Sequence, residues 1–296
     1  MPDERKKSYI YGLIAILFWS TIATAFSLAL DEVGVFHLMV GAGFIAIVCL
    51  TIMLAFQRRL SFFKNLRPKH ILNSLLLGLL NPFLYYAILL KAYQILPAQE
   101  AMVLNYIWPI SLVLLSIPLL KQKIGWKSIL FILVSFAGVL VIASKGEFSS
   151  LAFTNWYGDL LALSSSVAWA LFWIFNMKGE RDETEKMLLN FIFGFLFSIL
   201  GLLVFEEPQI PSLRGILAIS YIGIFELGIT FVLWLKALKW ARTTDSISQL
   251  VFISPFLSLL FINLVIGEKI IPSTIYGLVL IVVGIILQQR LNYRKA

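Results

Sequence analysis

Glu226 is the only charged residue near the middle of any long apolar stretch of this 296-residue chain, and the other 15 of its 16 acids fall in tails, loops or first helical turns. A carboxylate held in hydrocarbon loses its hydration, which favours its neutral form and suits it to carry a proton or bind a cationic group. The competing structural reading is a protonated carboxyl hydrogen-bonded to a neighbouring helix. Polar and aromatic residues occupy the centres of five other stretches. The first holds Trp19, Ser20, Thr21 and Thr24, the third Asn81, Pro82, Tyr85 and Tyr86, and the fourth Asn105, Tyr106, Trp108 and Pro109. The sixth holds Ser164 to Ser166, Trp169 and Trp173, and the ninth Gln249, Ser254 and Pro255. Thr230 and Trp234 follow Glu226 in the eighth. Thr21 and the serine run fit ordinary membrane helix packing equally well.

Catalytic chemistry is not supported. His37 and His70 are the only histidines; they stand at span ends far apart in sequence, and Cys49 is the only cysteine. Intramembrane proteases and lipid transferases need a metal cluster or a nucleophile with a positioned base. The chain has no HExxH and no paired carboxylates inside the membrane, so the reading is a non-enzyme with no cofactor and no bound metal.

The elements that position these residues follow from composition. The chain is 60% hydrophobic and 14% charged, against roughly 45–50% and 25% in soluble domains. Apolar runs between charged breaks predict ten membrane spans: 9–30, 35–56, 70–90, 98–119, 125–144, 156–176, 187–205, 213–235, 246–266 and 273–289. Asp31, Glu32 and Gly34 separate the first two. Lys and Arg in successive gaps, with Lys127 and Arg214 in the first turns of the spans that follow counted to their gaps, number 3, 0, 5, 1, 3, 1, 3, 1, 3, 1 and 3, or 20 on one side and 4 on the other. The positive-inside rule then places both termini in the cytoplasm of a multi-pass protein of the cell inner membrane. The net charge of +8 is therefore an orientation signal and does not point to nucleic acid. Arg5 to Lys7 before an apolar run ending near Ala23, Thr24 and Ala25 suggest a cleavable signal peptide, but the run continues to Leu30.

The second half repeats the first. Residues 89–102 align with 234–247, pairing Lys91 with Lys236 and Glu100 with Asp245. Beyond a one-residue gap, Pro109 pairs with Pro255 and Gly138 with Gly284. The expected units are residues 1–148 and 149–296. Each has five spans, so the copies insert upside down relative to one another, and equivalent gaps reverse their charge. Five-plus-five inverted repeats are a design of secondary transporters, with the site at the repeat interface near the midplane. Glu226 then pairs with Asn81. Pro109 and Pro255, read as mid-helix prolines, are hinge candidates. Spans 2, 5, 7 and 10 are almost wholly aliphatic and Phe-rich, which suggests a lipid-facing or supporting set.

The stretch GEKIIPSTIYGLVLIVVGIIL at 267–287 resembles the end-of-repeat signature of the drug/metabolite transporter superfamily with EamA-type repeats. The first repeat departs from it, with Lys121, Gln122 and Lys123 at the Gly-Glu turn. AILFWSTIA at 15–23 and NYIWP at 105–109 are similar to the branch of aromatic amino acid exporters of YddG type. That resemblance implies an aromatic-lined central cavity built by Trp19, Tyr85, Tyr106, Trp108 and Trp169. The motifs specify fold more than substrate, because relatives move amino acids, cationic drugs, nucleosides or other metabolites.

The expected function is export of a small amphipathic metabolite, foremost an aromatic or hydrophobic amino acid, by alternating access. The expected substrate-binding residues are Trp19, Ser20, Asn81, Tyr85, Asn105, Tyr106, Trp108, Trp169, Trp173, Glu226, Thr230, Gln249 and Ser254. Glu226 would be the counter-ion or proton carrier, with the lipid bilayer as the other partner. The sequence leaves substrate identity, direction of flux and oligomeric state open, a monomer included.

Overall fold

A computed structural model describes residues 2–30, 32–96, 104–144, 155–207, 209–254, 257, 261 and 272–293. All regular structure among them is helical. The long elements are α1 (Pro2–Leu30), α2 (Val35–Phe56), α3 (Pro68–Gly78), α4 (Tyr85–Ile95), α5 (Trp108–Leu120), α6 (Trp126–Ala143), α7 (Trp156–Lys178), α8 (Glu183–Phe205), α9 (Leu213–Tyr221), α10 (Phe231–Trp240) and α12 (Pro272–Tyr293), with the single turn α11 at Asp245–Ser248. In lipid an apolar segment must satisfy its own backbone, so these runs become helices. Among the described residues, five helical segments are long and apolar enough to cross a membrane: Val35–Phe56, Pro68–Leu89, Trp156–Lys178, Glu183–Phe205 and Leu213–Trp240.

Helix starts follow local chemistry. Pro68 opens α3, where its missing N–H costs nothing. Asn155 caps α7 by accepting from the N–H groups of Tyr157 and Gly158, Asp182 caps α8 through Thr184, and Ser212 caps α9 through Gly215. The chain breaks between α1 and α2 as expected, although Asp31 lies outside the described residues. So do Glu100, Pro255, the 148/149 unit boundary and the Gly-Glu turn at 267–268.

Two π-helical segments interrupt the bundle. Leu79–Leu84 joins α3 to α4 and contains Asn81 in extended geometry (φ −155, ψ 125) followed by Pro82. Ile222–Thr230 joins α9 to α10 and contains Glu226. Asn81 and Glu226, the pair expected to be equivalent, thus both lie in wide turns. Pro109 is placed differently from expectation. It lies in the first turn of α5, after a break at Tyr106 and Ile107, where proline is tolerated.

Packing joins the two halves of the chain in reciprocal pairs. The α3 helix lies on α8, and the π segment before α10 lies on α2; α7 packs on α4, and α10 on α1. At Gly78 a Cβ would overlap the Asn190 carbonyl, and at Gly223 it would come within 2.8 Å of the Ala42 carbonyl, so both contacts require backbone-to-backbone approach. Between α6 and α12, Gly138 meets Gly277 and Ile281 while Gly284 meets Phe131 and Ser135. The outward faces of α2, α6, α8 and α12 expose large apolar side chains, including Val48, Leu133, Leu200 and Val282, as a lipid-facing set must.

Candidate functional site

Helical periodicity places Asn81 and Tyr85 on one stripe, but the π segment inserts extra backbone between α3 and α4. As a result Tyr85 and Tyr86 are both buried and point to different partners. Tyr85 exchanges hydrogen bonds with the Asn105 amide at 3.4–3.5 Å, and Asn105 Nδ2 donates to Ser165 Oγ at 3.0 Å. Tyr86 Oη donates to Glu226 Oε1 at 3.1 Å. Glu226 is 4% exposed, and its Oε2 has no partner among the described residues. The Trp19 indole N–H faces this carboxyl group but falls short of hydrogen-bond geometry.

Beside Glu226 lies a cluster of four tryptophans. Trp19 contacts Trp108, Trp169 and Trp234, and Trp108 contacts Trp169 and Trp234, at ring-centroid distances of 5.1–6.1 Å. Most pairs are tilted or edge-to-face, arrangements that aromatic quadrupoles favour. Tyr85 adds to Trp169 at 4.5 Å, while Trp173 and Phe231 form a second layer behind Trp169. The indole N–H groups of Trp19, Trp169, Trp173 and Trp234 are buried without an acceptor among the described residues. Buried donors normally find partners, so indole N–H groups beside a carboxylate oxygen give the cluster polar groups that a molecule with both an acceptor and a donor could satisfy.

Other expected site residues do different work. Ser20 Oγ donates to the Ile16 carbonyl and to Ser254 Oγ, and Tyr106 reaches that same Ser254 hydroxyl, which ties α1 to the segment after α11. Thr230 donates to the Phe225 carbonyl, satisfying a backbone acceptor in the π segment. Gln249 donates to Ser135 Oγ at 3.0 Å and so faces α6. Asn81 is fully buried, and neither of its amide atoms has a partner among the described residues. Tyr86, Trp234 and Phe231 complete the cluster beyond the expected set. Trp234 follows Glu226 by eight residues, a spacing that already placed it on the same helix face.

The end of the bundle with the basic loops is closed by a polar network. Lys186 Nζ, almost fully buried, donates to the Asn176 and Gly179 carbonyls at the C-terminus of α7. Lys239 pairs with Glu183 at 2.8 Å, and Arg59 with Asp182 at 2.7 Å and Glu185 at 3.2 Å. At the opposite end Glu206 accepts from the Phe36 and His37 N–H groups, capping α2, and pairs with His37 Nδ1 at 2.7 Å. His37 Nε2 accepts from the Gln209 N–H, so both ring nitrogens are engaged structurally. Among the described residues no three His, Cys, Asp or Glu side chains group to hold a metal.

The EamA-like transporter family matches residues 6–144 and again 156–288. The chain belongs to that family. Its membership makes it a multi-pass membrane transporter of small molecules rather than an enzyme. The uncharacterized transporter YoaV of Bacillus subtilis (strain 168) is 25% identical to this EamA-like transporter over 282 residues, 93% of this chain and 94% of that one. The aromatic amino acid exporter YddG of Ancylobacter novellus is 27% identical over 235 residues, 78% of this chain and 79% of its own. An uncharacterized transporter of Clostridium kluyveri is 27% identical over 180 residues, 59% of this chain, and the match spans only 58% of that relative. A crystal structure with 24% sequence identity superposes over 98% of both chains with a TM-score of 0.84, which shows the fold.

Proposed function

We propose that the chain exports a small zwitterionic metabolite, foremost an aromatic or hydrophobic amino acid, across the cell inner membrane by alternating access. The observation that carries this reading is the placing of buried indole N–H donors beside the buried Glu226 carboxyl group inside a ring cluster. A zwitterion supplies a carboxylate to the donors and an ammonium to Glu226, while its apolar part stacks on Trp19, Trp108 and Trp234. The rings touch one another, so substrate enters by parting them. The likeness to an aromatic amino acid exporter agrees with this substrate class.

The ten-span, five-plus-five inverted architecture with both termini cytoplasmic is part of the same proposal. It is supported by the reciprocal contacts Gly78–Asn190 and Gly223–Ile45, and Gly138–Gly277 and Gly284–Phe131, which exchange under the repeat offset. The family match in two stretches, residues 6–144 and 156–288, supports a chain of two repeated units. Loops that share a charge class meet one another: Arg59 meets Asp182, Gln122 meets Thr244, and Glu32 meets Ser212. Helix rocking about the glycine contacts would expose the ring cluster to either side.

Glu226 is in this account a proton carrier or substrate counter-ion. A second reading, export of a cationic drug or amine, is favoured by the same residue, because the side chains that face its carboxyl group among the described residues, Tyr86 and Trp19, are neutral. A thermal-shift screen of purified protein against aromatic amino acids and cationic amines separates the two. Selective stabilisation by aromatic amino acids that is lost in Trp108→Ala supports the first. Stabilisation by cationic amines alone overturns it.

A further inference from the structure

A pocket of about 80 Å3 lies at the basic end of the bundle, and no residue of the ring cluster lines it. Three separate segments form it: the start of α1 with Arg5 and Ser8, the α5–α6 connection with Lys123, and the segment before α11 with Arg242 and Asp245. Side-chain bonds hold these walls together. Ser8 Oγ donates to the Ala237 carbonyl at 2.7 Å, Thr244 donates through its N–H and hydroxyl to Gln122 Oε1 at 3.1 and 3.0 Å, and Gln288 donates to Asp245 Oδ2. Four parts of the bundle therefore shape the pocket without help from a ligand.

Its electrostatics are asymmetric. Lys123 and Arg242 are exposed and pair with no carboxylate among the described residues, while the carboxyl of Asp245 is 2% exposed and its Oδ1 has no partner among them. The N-terminal end of α6 also faces the pocket at Gly125 and Ser128, which adds the positive end of a helix dipole. Three basic side chains and a helix N-terminus suit a phosphate, which accepts several charge-assisted hydrogen bonds at once. The unpartnered buried carboxylate oxygen asks for a cation close to that phosphate. Depth in the bilayer is marked by Trp126, exposed beside the pocket, and by the Tyr11–Trp240 ring pair at 5.2 Å, as in an interfacial aromatic belt.

We propose that this pocket binds an aminophosphate group, its phosphate against Arg5, Lys123 and Arg242 and its ammonium against Asp245. The ligand chemistry is shared by a phosphatidylethanolamine headgroup of the adjoining leaflet and by free phosphoethanolamine. The bilayer is the source favoured by the aromatic belt, and the site is independent of the export substrate.

The test is the unfolding midpoint of the full chain in detergent, titrated separately with short-chain phosphatidylethanolamine, short-chain phosphatidylglycerol, O-phosphoethanolamine and inorganic phosphate. The expected result is a saturable rise with phosphatidylethanolamine that exceeds the rise with phosphatidylglycerol. The double substitution Lys123→Gln and Arg242→Gln, at exposed positions that leave the fold intact, should weaken half-saturation roughly ten-fold. Asp245→Asn should bring phosphatidylglycerol level with phosphatidylethanolamine. O-phosphoethanolamine matching the lipid would support the pocket chemistry and assign a soluble source. An unchanged titration in the double variant, or inorganic phosphate or phosphatidylglycerol matching phosphatidylethanolamine in the wild type, overturns the proposal.

Discussion

Tyr86 Oη sits 3.1 Å from Glu226 Oε1, joining α4 in the first half of the chain to the π segment before α10 in the second. This bond sets the one mid-bundle carboxyl group against a neutral donor, with the Trp19 indole facing it. A hydrogen bond to a charged acceptor contributes about 1.5–3 kcal/mol. Tyr86→Phe should therefore weaken substrate binding about ten-fold or more while leaving the fold intact, measured by ligand-dependent thermal shift and circular dichroism.

Proton coupling through Glu226 predicts a specific pH response. In proteoliposomes, an outside-acid gradient should accelerate substrate efflux from the wild type, because protons moving inward would drive substrate outward. Glu226→Gln should remove that acceleration. An equal effect of the gradient on both proteins would assign Glu226 to binding alone.

The tryptophan cluster makes a graded prediction. Trp234 and Trp108 touch the same neighbour, Trp19, at 5.1 and 6.1 Å, whereas Trp173 reaches the cluster only through Trp169. An aromatic pair contributes about 0.5–1.5 kcal/mol beyond its buried area. Trp234→Ala and Trp108→Ala should each weaken binding of an aromatic substrate by at least ten-fold. Trp173→Phe should leave affinity within about two-fold, since an aromatic ring is retained behind the first layer.

Glycine contacts between the halves predict stability rather than affinity. Leucine at Gly78 or Gly223 has no room beside the Asn190 and Ala42 carbonyls, and overpacking of this kind costs roughly 1–3 kcal/mol or more. Gly43→Ala, where a Cβ would meet only Phe195 at an ordinary 3.6 Å, is the control. Thermal unfolding in detergent should show clear losses for the first two and little change for the third.

The basic end of the bundle predicts unequal effects of charge removal. Arg59 is 46% exposed by side chain, so Arg59→Gln should cost no more than about 1 kcal/mol. Lys186 is buried and satisfies two carbonyls at the end of α7; Lys186→Met leaves them unpaired, at about 1–3 kcal/mol. Thermal unfolding of the two variants side by side should rank them in that order.

Five of the expected spans, at 35–56, 70–90, 156–176, 187–205 and 213–235, coincide with long apolar helices among the described residues, because lipid forces every apolar run to close its own backbone bonds. The second span was expected at 35–56 and the helix occupies Val35–Phe56. What periodicity could not supply was the local winding. Asn81 and Glu226 lie in π segments whose extra backbone shifts the residues that follow, which turned Tyr86 toward Glu226 alongside the expected Tyr85. The sequence reads Pro109 as a mid-helix kink, yet the helix breaks at Tyr106 and Ile107 and restarts at Trp108, with the proline in its first turn. Polarity and a mid-span position make Gln249 a candidate site residue, but they do not say which neighbour a buried amide serves. Its partner is Ser135 on α6.

Counterflow of a labelled aromatic amino acid in proteoliposomes, compared among wild type, Trp108→Ala and Glu226→Gln, distinguishes an aromatic amino acid carrier from an amine carrier. Saturable counterflow is expected in the wild type, abolished by Trp108→Ala and competed by unlabelled aromatic amino acids. Absence of counterflow for every aromatic amino acid, together with robust exchange of a cationic amine in the same vesicles, would contradict the aromatic amino acid reading.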